Sequence, residues 1–126
     1  MLKTIDNVFS HKWFGIVLVA VAFLSTSAQV GAERFRYGKF FAVLVGETKV
    51  VYAVRHRDCE SMPSFDRLRE RLPETALGTF SDGGEMTAKS RSCDAEVPTR
   101  GIAFTAMSKG EETMTFFGDE VTITVE

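Results

Sequence analysis

His56 stands among charges, in the segment Arg55-His56-Arg57-Asp58 of a 126-residue chain. An imidazole titrating near neutrality beside a carboxylate is the minimum equipment for acid–base chemistry. Past the first 32 residues it is the only histidine, so any serine or cysteine triad there would need this ring. A small exported hydrolase using His56 with a carboxylate is therefore one reading of the chain. Carboxylates recur in pairs: Asp58 with Glu60, Asp82 with Glu85, Glu111 with Glu112, Asp119 with Glu120. Glycoside hydrolysis needs two carboxyls held several ångströms apart across a cleft. Neighbouring acids on turns more often solvate a surface or guard a sheet edge. These patterns assign no catalytic residue.

Cys59 and Cys93 are the two cysteines. Zinc takes four ligands, usually Cys and His, and only His56 accompanies these thiols. No metal site and no cofactor motif is read. An even count with one possible pairing, in a chain that carries an export signal, predicts a Cys59–Cys93 disulfide.

The export signal is read at the N-terminus. Lys3, His11 and Lys12 precede the apolar run Trp13–Leu24, and Ser25-Thr26-Ser27-Ala28 follows it. Basic region, short apolar core and small-residue exit are the three parts of a secretory signal peptide. Cleavage after Ala28 or after Ala32 fits the rule, which leaves residues 33–126 as one domain. A membrane anchor is the other reading, but a spanning helix needs roughly 20 apolar residues and this run is shorter. The expectation is a periplasmic or secreted protein that meets the membrane only transiently, through its signal peptide. Asn7 is the only asparagine, so the domain has no N-glycosylation acceptor.

The chain holds 15 Lys and Arg against 17 Asp and Glu. Removing residues 1–32 takes away Lys3, Lys12 and Asp6, leaving 13 basic and 16 acidic side chains. A mildly acidic domain is poorly suited to a phosphate backbone, so nucleic acid is not an expected partner.

The elements that must position these residues read mainly as strands. Phe40–Val45 is an apolar run with the composition of a well-buried strand, and Lys49–Val54 resumes it after Gly46-Glu47-Thr48, which predicts a β-hairpin. Ser61, Pro63 and Ser64 open a helix over about 64–72, where Phe65, Leu68 and Leu72 share one face until Pro73 ends it. Arg67 and Arg71 fall opposite that face and are read as solubilising it. Ala76–Phe80 is a short strand, Ser81-Asp82-Gly83-Gly84 a turn, and Asp94–Pro98 a loop. Arg100–Met107, Thr113–Phe117 and Val121–Val125 form an antiparallel meander whose apolar faces need a second sheet. The sum is an antiparallel β-sandwich of about seven strands with one short helix.

The closing strands, Gly101-Ile102-Ala103-Phe104-Thr105-Ala106, Gly110–Thr115 and Val121–Val125, resemble the end of bacterial immunoglobulin-like domains. That resemblance covers about the last quarter of the chain. It implies an immunoglobulin-like sandwich that binds or spaces rather than catalyses. The same ending occurs in the chagasin-like inhibitors of cysteine proteases, whose Trp-bearing and Pro-Trp elements this chain lacks.

The favoured reading is a binding module acting through protein–protein contacts, as an inhibitor, immunity or envelope-associated factor. Its partner is a protein in the envelope or outside the cell. Candidate contact residues lie on loops, where rigid sandwiches place function: Arg55, His56 and Arg57; Asp82, Gly83 and Gly84; Glu96 and Pro98. A domain whose two ends differ in sign would meet its partner by charge complementarity.

Overall fold

A computed structural model describes residues 33–126; the signal peptide read over residues 1–32 lies outside the described residues. Among the described residues seven strands form: β1 (Glu33–Arg34), β2 (Phe40–Val43), β3 (Thr48–Arg55), β4 (Gly78–Ser90), β5 (Ala95–Ala106), β6 (Gly110–Phe116) and β7 (Asp119–Val125). One helical turn, α1 (Phe65–Leu68), runs on into a 3-10 turn over Arg69–Arg71. The described residues cluster as one unit.

The strands lie in a four-stranded sheet, ordered β1-β4-β5-β3, and a three-stranded sheet, ordered β2-β7-β6. Strict alternation in β7 buries Val121, Ile123 and Val125, as a period-two strand with one covered face requires. They share a core with Met114 and Phe116 of β6, with Val51 and Tyr52 of β3, and with Ile102, Phe104 and Ala106 of β5. Side chains from both sheets thus fill one core, a sandwich-like arrangement. α1 contributes Phe65 and Leu68. Docking of these two residues is what holds so short a helix, since an isolated turn is unstable in water.

The β6–β7 hairpin forms as expected, antiparallel from Gly110↔Val125 to Phe116↔Asp119. Its turn is Phe117-Gly118, both at positive φ (50° and 95°). The paired left-handed residues give the twist that matches flanking strands.

Six expectations are corrected. β2 and β3 do not form a hairpin: β2 pairs in parallel with β7, and β3 pairs antiparallel with β5. The link between them carries the chain from one sheet to the other. It is fixed to the end of β5 by Gly46 N–H to the Ala106 carbonyl and Ala106 N–H to the Glu47 carbonyl. Nor is Phe40–Val45 well buried, since Phe40, Leu44 and Val45 are exposed and only Val43 is fully covered. β5 and β6 likewise lie in different sheets, so the closing strands are a hairpin plus a crossing rather than a meander. Apolar strands can hide their faces by stacking across sheets as well as by lying side by side, and these stack.

Ser81-Asp82-Gly83-Gly84 is not a turn. It lies inside β4, where the register with β5 slips between Asp82 and Gly84. The slip is a β-bulge, and its glycines explain it. Gly84 has φ +91°, and a Cβ on Gly83 would sit 2.8 Å from the Gly101 backbone. Asp94–Pro98 is not a loop either. The turn occupies residues 91–94 and β5 starts at Ala95, so Glu96 and Pro98 lie in the β4–β5 ladder opposite Lys89 and Thr87. The helix read over about 64–72 is shorter than expected, because its second turn tightens into the 3-10 form.

Candidate functional site

Cys59 and Cys93 are bonded, with Cα atoms 6.0 Å apart. The bridge ties the loop after β3 to the β4–β5 turn, and it is compatible with an oxidising, exported location. Next to it lies an open cleft of about 1490 Å³.

Each wall of the cleft brings cations. Arg55 ends β3 and Arg57 follows it; Arg67 and Arg71 come from α1 and the 3-10 turn; Lys89 lies at the end of β4 and Arg91 in the turn after it; Lys39 precedes β2. The only carboxylates in the lining are Asp119 and Glu120. Seven of the 13 basic side chains of residues 33–126 therefore line the cleft, with two of the 16 acidic ones. Six basic and fourteen acidic groups are left for the rest of the domain, so the cleft is positive and its surroundings negative. Among the described residues none of the seven cations forms an ion pair with a carboxylate; the pairs are Arg34–Glu96, His56–Asp58, Arg69–Asp66 and Arg100–Asp82. Unneutralised like charges around a concave surface concentrate its potential.

The cleft's aromatic side is built on Tyr52. Its ring stacks on Phe116 and Phe117, at 5.3 and 6.1 Å, and Tyr37 meets it edge-on at 5.4 Å. The Tyr52 hydroxyl donates to Asp119 Oδ2. Burial, with this hydrogen bond and the Asp119 charge, pushes the Tyr52 phenol well above its ordinary value. Burial raises Tyr37 too, with Asp119 adding to the effect. Tyr37 donates to the Ala53 carbonyl at 2.6 Å. The Arg71 guanidinium lies 4.6 Å from the Phe117 ring, within cation–π range. Phe117 is a bulky residue at φ 50°, where glycine or asparagine is the ordinary choice, and its packing against Tyr52 and Arg71 holds it there. Thr99 of β5 also lines the cleft, fully buried, and its hydroxyl has no hydrogen-bond partner among the described residues.

His56 and Asp58 form a separate network. The Asp58 amide donates to His56 Nδ1 at 3.2 Å, and Nδ1 lies 3.1 Å from Asp58 Oδ1. Nδ1 accepts the amide when bare and pairs with the carboxylate when protonated. Asp58 also takes the Ser61 hydroxyl at 2.5 Å and the amides of Glu60 and Ser61. The Ser61 hydroxyl and these amides hold its carboxyl well below the usual range. A nucleophilic triad needs the imidazole between hydroxyl and carboxylate; here the carboxylate sits between the other two. This geometry fixes the loop and leaves the hydroxyl unactivated.

Of the candidate contact residues read from the sequence, Arg55, His56 and Arg57 reach the cleft. The others are elsewhere. Asp82 binds Arg100 at 3.3 Å, and Arg100 holds the Pro63 carbonyl at 3.0 Å, which anchors the approach to α1. Glu96 pairs with Arg34 at 2.7 Å. Sequence pattern alone does not single out Lys39, Arg67, Arg71, Lys89, Arg91 or the aromatic group as site residues. The i,i+4 spacing of Arg67 and Arg71 was the one sequence signal for them, and it shows a shared helix face without showing what that face meets. Among the described residues no group of three or more His, Cys, Asp or Glu side chains is placed to hold a metal ion. Comparison with protein-family models, curated proteins and solved structures finds no match for this chain.

Proposed function

We propose that the chain is a periplasmic or secreted binding module of immunoglobulin-like form, that it acts through contact with a protein partner, and that the partner docks in the basic cleft. One observation carries this reading: seven cations, unpaired among the described residues, line one cleft of a domain that is otherwise acidic. Holding like charges together costs energy in the free protein and is recovered when an oppositely charged surface covers them. An acidic partner is therefore the complement. Two facing sheets of seven strands, ended by β5, β6 and β7, support the immunoglobulin-like form. The disulfide supports export.

The test compares immobilised oxidised protein with its Arg67→Glu/Arg71→Glu variant. Both arginines are exposed, so the variant keeps its core. The expected result is a partner held by the unchanged protein at low salt, released at about 0.5 M salt where screening is strong, and not held by the variant. A partner held equally by both proteins would place the contact elsewhere.

A further inference from the structure

Resting on that reading, we propose that the partner presents a carboxylate-rich extended segment, which adds as a strand along the outer edge of β3. Among the described residues β3 is the last strand of its sheet, bonded to β5 on one side only. Its final four residues, Tyr52–Arg55, form part of the cleft wall. The edge therefore runs along the place where the cations converge.

The backbone there points away from β5 and is covered in the free protein, Ala53 being 1% exposed. The Ala53 carbonyl accepts the hydroxyl of Tyr37, a side chain 48% exposed that also lines the cleft. In an antiparallel ladder the N–H and C=O of one residue point to the same side, and alternate residues repeat the direction. Ala53 and Arg55 accordingly turn both backbone groups toward the cleft. Together they form the template onto which an extended segment hydrogen-bonds, once Tyr37 swings aside. Unpaired strand edges, once uncovered, recruit peptide strands, with main-chain bonds giving affinity and alternate side chains giving selectivity. Side chains two apart on an added strand are about 7 Å apart on one face. Acidic residues at that spacing would meet Arg55 at the end of the strand and the other cations of the cleft, Arg57, Arg67 and Arg71 among them.

The aromatic residues do not favour a nucleic-acid strand. Non-specific binding of single strands uses a row of open rings on which bases stack. Here Tyr52 is 7% exposed, and Phe117 is covered by Tyr52 and Arg71, which leaves Tyr37 as the one open ring among the three.

The experiment uses the full oxidised chain and three fluorescent probes, read by anisotropy. The first is an eight-residue alternating Glu-Val peptide, the second the same peptide with alternate amides N-methylated, and the third a twelve-residue oligothymidylate. The expected result is that the first peptide binds, N-methylation weakens it at least about tenfold through lost main-chain bonds, and the oligonucleotide binds more weakly than the first peptide. Amide exchange at Ala53 and Arg55 should also slow at least about tenfold when the first peptide is added. Equal binding of both peptides, lost in Arg67→Glu/Arg71→Glu and without protection at Ala53 and Arg55, would overturn strand addition while sparing the basic cleft. Binding of neither peptide, or tighter binding of the oligonucleotide, would overturn both.

Discussion

Reducing the Cys59–Cys93 bond should remove a large part of the domain's stability, by an amount that follows from its place in the chain. The cysteines are 34 residues apart. Closing a loop of that size lowers the entropy of the unfolded chain by about 12–13 cal/mol/K, or about 4 kcal/mol at room temperature. A domain of this length has a margin of only about 5–10 kcal/mol. At about 4–8 °C per kcal/mol for a domain of this size, the melting temperature should fall by roughly 15–30 °C. Scanning calorimetry of the protein with and without a phosphine reductant measures it. The effect should not be confined to global stability. Arg57 and Ser61 flank Cys59, and Arg91 and Ser92 precede Cys93, and all four line the cleft. Cys59 and Asp94, beside the two sulfurs, are also held at positive φ (65° and 52°). Reduction should therefore weaken partner capture at temperatures where the reduced protein is still folded. Oxidised and reduced forms melting within about 3 °C of one another would refute the reasoning.

Other consequences are as direct. The folded protein holds the phenolic protons of Tyr37 and Tyr52 more tightly than the unfolded chain. Their contribution to stability should accordingly be constant below the ordinary phenol value of 10.0 and be lost as pH rises above it; these are the chain's only tyrosines, so phenolate absorbance should appear only as the protein unfolds, and a titration at the ordinary value in folded protein would contradict the packing described. Thr99→Val removes a buried hydroxyl that has no partner among the described residues and should raise stability by about 1 kcal/mol in chemical denaturation; a loss would mean that the hydroxyl is bonded. Gly78→Ala would set a Cβ 2.2 Å from the Thr105 carbonyl oxygen and 2.6 Å from the Phe104 ring, and should cost about 2 kcal/mol by the same assay. A neutral result would show that β4 can shift there at little cost.

The features legible in the sequence were local ones. Strict alternation over Val121–Val125, the Phe65/Leu68 spacing and the single possible cysteine pairing each found their element. What did not read was which strands pair. A short Gly-containing link after Val45 serves a hairpin or a crossing between sheets equally well, and the choice is made by Ala106, some 60 residues on. Asp82-Gly83-Gly84 has turn composition because a bulge needs the same backbone freedom. Glu96 and Pro98 looked like loop because β-propensity is weak where an edge is polar. The site was the least legible part. Its cations come from separate stretches that the fold, the disulfide and the docking of Phe65 and Leu68 of α1 in the core bring together, while the whole-chain charge, being negative, conceals them.

The most direct test of the basic cleft is carbodiimide cross-linking of the protein to its captured partner, which joins carboxylates to lysines within contact distance. Lys39 and Lys89 line the cleft, whereas Lys49 and Lys109 lie outside it. Docking in the cleft predicts cross-links from partner carboxylates to Lys39 and Lys89, disappearing as salt is raised. Cross-links confined to Lys49 and Lys109 would place the partner on another face and contradict the account.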